Sequence, residues 1–107
     1  MTNLRRSIGA FAVAALLMPA TALAATRVRV KDDKFSARSL TIAKGTTVRW
    51  VWKGHSRHNV TVVSGPRSFR SATKRSGTFS HRFTKRGTYR LLCTVHAPKM
   101  KMTVTVR

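Results

Sequence analysis

Residues 87–100 read GTYRLLCTVHAPKM, and this stretch indicates both the fold and the chemistry of the chain. Its first half predicts a β-strand over residues 88–93. Cys93 ends this strand, His96 follows three residues later, and Met100 lies four residues after that. Thiolate, imidazole and thioether groups in one short loop can converge on one ion, and soft donors of this kind select copper.

A blue-copper electron-transfer site needs two histidines and a cysteine in one plane, with a weak axial methionine. The loop at residues 93–100 therefore lacks one histidine. His58 can supply it, because it precedes a predicted strand at residues 59–63, and a β-sandwich can bring that strand end beside the end of the Cys93 strand. The candidate metal ligands are His58, Cys93, His96 and Met100.

The chain after residue 25 predicts strands and no helix. Within residues 46–52, alternation places Val48, Trp50 and Trp52 on one face. Short strands separated by turn signals predict an all-β fold, a small antiparallel β-sandwich, with one long irregular loop at residues 65–77. The predicted strands are 26–30, 39–42, 46–52, 59–63, 78–83, 88–93 and 101–106.

The beginning of the chain has the pattern of a secretory signal. Arg5 and Arg6 precede an uncharged run of 11 residues at positions 8–18, and small residues follow at Ala22 and Ala24. This order predicts a signal peptide that is cut after Ala24. An uncleaved membrane anchor and a twin-arginine export route remain open as alternatives.

We therefore expect a signal peptide at residues 1–24 and one domain at residues 25–107, exported to the periplasm, the cell surface or the medium. The chain has 22 Lys and Arg residues but only 2 Asp and Glu, for a net charge of +20, and a single cysteine excludes an internal disulfide. A hydrophobic content of 42% excludes a disordered polycation. Because charge repulsion opposes the compaction of so small a domain, we expect a bound metal to help stabilise it.

With these residues assembled, the sequence resembles the cupredoxins, the plastocyanin and azurin family of small copper proteins. The resemblance implies a Greek-key β-sandwich that holds one copper ion, with His58, Cys93 and His96 as equatorial ligands and Met100 as the axial ligand. It also implies that the backbone amide of Asn59 donates a hydrogen bond to the cysteine sulfur. The matching segments are residues 34–42, the turn and strand AKGTTV at residues 43–48, Trp50, His58-Asn59-Val60, Gly87-Thr88-Tyr89, Cys93, His96 and Met100.

The chain departs from the family in two ways. It is short for the family, and Met102 stands where the family often has a glycine, two residues after the axial methionine. Met102 is the main rival of Met100 as the axial ligand. However, Met102 alternates with Val104 and Val106, which predicts that it faces the core, so Met100 is preferred on the family likeness.

The remaining two histidines have other predicted roles. His55 lies in a turn three residues before His58, where an exposed imidazole is expected, and a ligand role for it stays open as an alternative. His81 shares a strand face with Phe79 and Phe83, which predicts a structural role. Large aromatic side chains elsewhere are predicted to lie in or beside the core: Trp50, Trp52 and Tyr89.

The resemblance implies a one-electron carrier. Electrons would enter or leave through the exposed edge of His96, where Ala97 and Pro98 could form a small apolar contact. Lys99 and Lys101 would surround this edge with positive charge, which favours a fast, salt-sensitive and transient encounter with an acidic redox partner protein. We expect the protein to be a monomer.

Other functions compete with electron transfer. A copper carrier or buffer would use the same four ligands without cycling electrons. A basic binder of anionic envelope surfaces would use the many Lys and Arg side chains, and export argues against nucleic acid as the physiological partner. An enzyme is not expected, because four histidines and one cysteine cannot build the second, trinuclear site that multicopper oxidation requires.

Overall fold

The computed structural model describes residues 26–107, and the predicted signal peptide lies outside this range. The described chain contains eight strands and one short 3-10 helix, Thr94–His96. No helix of this part of the chain has the length and apolar character needed to cross a membrane. The strands are β1 Thr26–Lys31, β2 Lys34–Phe35, β3 Ser39–Ile42, β4 Thr47–Trp52, β5 Thr61–Ser64, β6 Thr78–Arg82, β7 Gly87–Leu92 and β8 Lys101–Val106.

The strands form two four-stranded sheets, in the orders β2-β1-β4-β6 and β3-β8-β7-β5. The all-β sandwich predicted from the sequence is confirmed. Both sheets are mixed, however, because β1 pairs with β4 and β3 pairs with β8 in parallel. The chain leaves the first sheet for β3 and re-enters it at β4, and this crossover makes β4 run in the direction of β1. Antiparallel pairing joins the other neighbours.

The core lies between the two sheets, and strand alternation fills it. Val48, Trp50 and Trp52 of β4 are buried, whereas Arg49 between them is exposed, as predicted. Tyr89 of β7 is also buried, and its hydroxyl donates a hydrogen bond of 2.7 Å to the backbone carbonyl of Lys85. The predicted core role of the two tryptophans and the tyrosine is therefore confirmed. The C-terminal ends of β4 and β7 lead into the loops that carry the candidate ligands.

The segment around His58 differs from its prediction. A strand was expected at residues 59–63, but β5 begins only at Thr61. The backbone at His58 pairs instead with Lys74, through two amide-to-carbonyl hydrogen bonds of 2.9 and 3.0 Å. The predicted irregular loop at residues 65–77 thus folds back along this segment and fixes it. Strand β2 has no counterpart among the predicted strands, because its two residues are too few to show alternation.

Candidate metal centre

Three predicted ligands meet at one end of the sandwich. The donor atoms of His58, Cys93 and His96 all lie within 4.8 Å of one another. Cys93 Sγ is 3.8 Å from His58 Nδ1 and 3.6 Å from His96 Nδ1. The structure therefore brings together residues that are 35 positions apart in the sequence, as the sequence predicted for His58 and Cys93.

The loop after β7 is tightly closed by its own backbone. Cys93 is buried, and its amide donates a hydrogen bond of 2.9 Å to the carbonyl of Met100 at the other end of the loop. Within the loop, the His96 amide donates to the Cys93 carbonyl at 3.2 Å, and the Met100 amide donates to the His96 carbonyl at 3.3 Å. Two ligands and the candidate axial ligand are thus positioned by the same short ring of hydrogen bonds.

The two candidate axial methionines occupy different elements. Met100 is fully buried and is the last residue of the ligand loop, immediately before β8. Met102 is the second residue of β8, pairs with Leu91 of β7, and is buried in the same strand row as Val104. Met102 therefore belongs to the sheet, as its alternation predicted, and Met100 belongs to the loop that carries Cys93.

Asn59 connects the two ligand segments through its side chain. Its Oδ1 accepts hydrogen bonds from the Thr94 amide at 3.1 Å and from the Thr61 hydroxyl at 2.8 Å. Its Nδ2 donates to Thr94 Oγ1 at 2.7 Å and to Thr73 Oγ1 at 3.0 Å. The resemblance implied a contact from the Asn59 amide to the Cys93 sulfur. Among residues 26–107 that contact is not found. Instead, the Asn59 side chain accepts a hydrogen bond from Thr94, the residue after Cys93, and donates another to it.

His58 is held on three sides. Its ring is fully buried, and its backbone forms hydrogen bonds with the backbone of Lys74. Its carbonyl also accepts a hydrogen bond of 3.3 Å from the indole of Trp52. The ammonium of Lys74 lies 4.8 Å from the centre of the Trp52 ring. One ring nitrogen of His58, Nε2, lies 3.1 Å from a carboxylate oxygen of Asp32. Only Nδ1 of His58 faces the sulfur.

Asp32 and Asp33 are functional candidates that the sequence interpretation missed. Asp33 Oδ1 lies 3.1 Å from His96 Nε2, so each ligand histidine has one carboxylate at Nε2. Asp32 also accepts hydrogen bonds from the backbone amides of Ser56 and His55, at 2.9 Å each. The Ser56 amide first, and then the His58 side chain, lower the pKa of Asp32 to about 2. A signal was present in the sequence, because the chain has no other acidic residue.

The other two histidines lie outside this cluster. His55 is exposed and bonds Asp32 through its backbone amide. His81 stacks on Phe69 of the long loop, with ring centres 3.8 Å apart and planes 18° apart, and meets Phe83 edge-on. Burial lowers the pKa of His81. These contacts give His81 the packing role that the alternation of β6 predicted.

The donor set fits copper. The site offers a buried thiol, two imidazole Nδ1 atoms and a buried thioether. These soft and borderline donors favour copper over calcium or magnesium. The Nε2 atoms of both imidazoles are engaged by carboxylates, so Nδ1 is the nitrogen that each ring offers to a metal. The Cys93 sulfur lies 3.8 Å from the first of these Nδ1 atoms and 3.6 Å from the second.

Comparisons with known proteins agree with this chemistry. The sequence model of the copper binding proteins of the plastocyanin/azurin family matches residues 23–107. A reduced amicyanin mutant is 29% identical, with a TM-score of 0.69, over 78% of this chain and 82% of that chain. A second amicyanin mutant, in a reduced Cu(I) form at pH 4, is 31% identical with the same TM-score and coverage.

A larger protein contains a similar domain. A Cu-containing nitrite reductase from Thermus scotoductus SA-01 is 28% identical, with a TM-score of 0.71. The similar region covers 78% of this chain but 22% of the reductase chain. No curated protein sequence matches the chain.

Proposed function

Because the chain belongs to the plastocyanin/azurin family of copper-binding proteins, we propose that it is an exported one-electron carrier. Bound copper would supply a one-electron couple between Cu(I) and Cu(II). The observation that carries the proposal is the convergence of two imidazole Nδ1 atoms on a buried cysteine sulfur. This is the donor set of the blue-copper type.

The proximity of three donor atoms and the loop that carries Met100 support the proposed ligand assignment. His58 Nδ1, Cys93 Sγ and His96 Nδ1 are the equatorial ligands in this proposal. Met100 would supply the fourth, weaker donor by the family likeness. This choice is supported because Met100 is buried and closes the loop that begins at Cys93, whereas Met102 is part of the β8 pairing. His55, the alternative considered from the sequence, is exposed and is not in the cluster.

The chain's own contribution is to hold these donors in one arrangement. The backbone ring of residues 93–100, the Lys74 pairing at His58 and the Asn59 side-chain bonds restrain the two ligand segments from different directions. Ligands that are restrained in this way move little when the charge at the site changes. Little movement favours fast electron exchange, because little reorganisation is needed.

The edge of His96 is the route for electrons in this proposal. The His96 side chain is 27% exposed, whereas His58 is fully buried. Beside it, Val95 is 50% exposed, and Ala97 and Pro98 are also exposed. Exposed Lys99 lies within the same loop and Lys101 begins β8. A transient acidic redox partner would suit a small apolar contact that is bordered by positive charge.

Electrochemistry separates this function from a copper carrier or buffer. We expect a reversible one-electron couple and rapid self-exchange between the Cu(I) and Cu(II) proteins. Slow self-exchange, together with transfer of the metal to an apo acceptor protein, would identify a carrier instead. Cys93→Ser is the matched variant, since it keeps the loop but removes the thiolate, and it should abolish the couple. Neither role is enzymatic, and the four histidines of the chain cannot form a second copper cluster of the oxidase type.

A further inference from the structure

The only two acidic side chains of the sequence each contact one of the two candidate ligand histidines. The chain has 22 Lys and Arg residues and 2 Asp and Glu residues. Both acidic residues occupy the turn between β1 and β2, where Asp32 Oδ1 is 3.1 Å from His58 Nε2 and Asp33 Oδ1 is 3.1 Å from His96 Nε2. Because the sequence has no other Asp or Glu, these two carboxylates are the only negatively charged side chains near the site.

The turn is built to present the two carboxylates. Lys31 and Lys34 pair across it, and Asp33 has a φ of 65°, a conformation that aspartate tolerates better than most residues. Asp32 is fixed further by the backbone amides of His55 and Ser56.

Gly54 lies against the same carboxylate. A Cβ at this position would overlap Asp32 Oδ1, so glycine leaves the space that the carboxylate occupies. Asp32 is thus held by a complementary loop, and its place beside His58 is determined by two segments of the chain.

A carboxylate at Nε2 determines what the imidazole can do at Nδ1. A neutral imidazole has one N–H donor and one acceptor nitrogen, so an Nε2–H that donates to a carboxylate leaves the lone pair on Nδ1. In both rings this nitrogen faces Cys93 Sγ. The negative charge also makes the imidazole a stronger electron donor to a bound cation.

We propose that Asp32 and Asp33 are positioning residues that hold His58 and His96 in the Nε2–H tautomer and favour Cu(II) over Cu(I) at the site. This inference rests on the proposed ligands. The larger effect belongs to Asp32, because His58 is fully buried and Asp32 is 39% exposed, whereas Asp33 is 72% exposed and is better screened by solvent.

The test compares neutral variants with a charge-matched control. Asp32→Asn and Asp33→Asn remove one negative charge each, and Asp33→Gly removes the whole side chain in a conformation that glycine adopts readily. Thr88→Lys adds one positive charge at an exposed position five residues before Cys93 on β7, at the other end of the strand. It therefore matches the change in net charge without touching the histidines.

Two readouts are needed, on the loaded and the metal-free protein. For Asp32→Asn we expect a loss of Cu(II) affinity of about 10- to 100-fold, the usual effect of losing such a contact, with a smaller loss for Asp33→Asn. Cu(I) affinity should fall less, and a tenfold difference between the two losses raises the reduction potential by about 59 mV. In the apo-protein at about pH 8, ¹⁵N NMR should show the Nε2–H tautomer at both rings, and Asp33→Gly should shift His96 alone toward a mixture.

The inference is overturned if the Asp33 variants match Thr88→Lys in potential, relative copper affinity and His96 tautomer. Asp33 is the decisive residue because Asp32 also supports the Gly54–Ser56 backbone, so loss of fold in an Asp32 variant does not end the test. If the wild-type protein binds no copper, the proposed function fails. The apo tautomers still decide whether the carboxylates position the rings, so the two failures are distinguishable.

Discussion

At the scale of single residues, the Asn59 side chain links the two segments that carry the candidate ligands. It is fully buried and takes part in four side-chain hydrogen bonds that reach both the Cys93 loop and the long loop. A buried amide with this many partners cannot be replaced by a smaller apolar residue without leaving some of them unpaired. The resemblance implied a different role, a backbone hydrogen bond to the Cys93 sulfur, and the side-chain contacts that the structure shows could not be predicted from the sequence.

Replacement of Asn59 should loosen the metal centre. We expect Asn59→Ala to lower the free energy of unfolding of the apo-protein by about 1–3 kcal/mol, because the Thr94 amide loses its acceptor and the other hydrogen bonds of the buried Asn59 side chain are also lost. Denaturant titration measures the change. Thr61→Val is the matched control, since it removes one of the four bonds, and it should cost about 1 kcal/mol. Equal effects of the two variants would contradict the account.

His81 should add a pH dependence to the stability. Burial against Phe69 lowers its pKa in the folded protein below the usual histidine value of 6.5. The unfolded chain therefore binds a proton first as the pH falls, so stability decreases below about pH 6.5 and levels off under the folded pKa. His81→Phe should flatten this part of the profile. Unfolding of the apo forms of both proteins at about pH 7.5 and about pH 5.5 checks it, and parallel profiles would rule out this role for His81.

At the scale of strands and turns, local patterns predicted what local patterns determine. The alternation of β4 and β8 was predicted from the sequence. The sequence also placed Cys93, His96 and Met100 in one loop. The parallel pairing of β1 with β4 depends on where the chain crosses between sheets, and the position of the β1–β2 turn over the histidines depends on tertiary packing. Neither is encoded by a local period, which is why the two aspartates were missed.

The turn at Gly54 offers a test of the carboxylate's position without a change of charge. Gly54→Ala introduces a Cβ that overlaps Asp32 Oδ1 and the Asp32 backbone, so Asp32 and the turn at Gly54 must separate. We expect this shift to weaken the contact between Asp32 and His58. We expect the reduction potential of the copper form to rise, as for Asp32→Asn. Ser56→Ala is the control, because Ser56 contacts Asp32 through its backbone amide, and it should leave the potential unchanged. A wild-type potential in Gly54→Ala would contradict this role of Asp32.

The packing of β4 can be tested in the same way. Trp50 is fully buried and lies among Phe79, Phe83 and Phe69, with ring centres 5.9, 6.4 and 6.2 Å away. Trp50→Ala should cost about 3–5 kcal/mol through lost burial and the cavity it leaves. Phe79→Ala, at a half-buried position of β6, is the comparison and should cost less. Denaturant unfolding measures both, and a cost under about 1 kcal/mol for Trp50→Ala would exclude a central role in the core.

At the scale of the whole molecule, charge is the dominant property. A net charge of +20 on 107 residues opposes compaction and attracts acidic partners. Added salt should therefore have opposite effects on two measurements. Between about 10 and about 150 mM NaCl, the apo-protein should become more stable, whereas the rate of electron transfer with an acidic partner should fall. The rate with a small neutral oxidant is the control and should change little. A partner rate that is independent of salt would contradict the docking role of the basic surface.

The most direct test of the copper site is the visible spectrum of the purified domain after addition of Cu(II), recorded beside that of Cys93→Ser. We expect an intense blue thiolate-to-copper charge-transfer band in the wild type and its complete loss in the variant, because Cys93 supplies the sulfur that His58 and His96 face. A colourless wild-type protein without tight copper uptake, or a blue band that persists in Cys93→Ser, would contradict it.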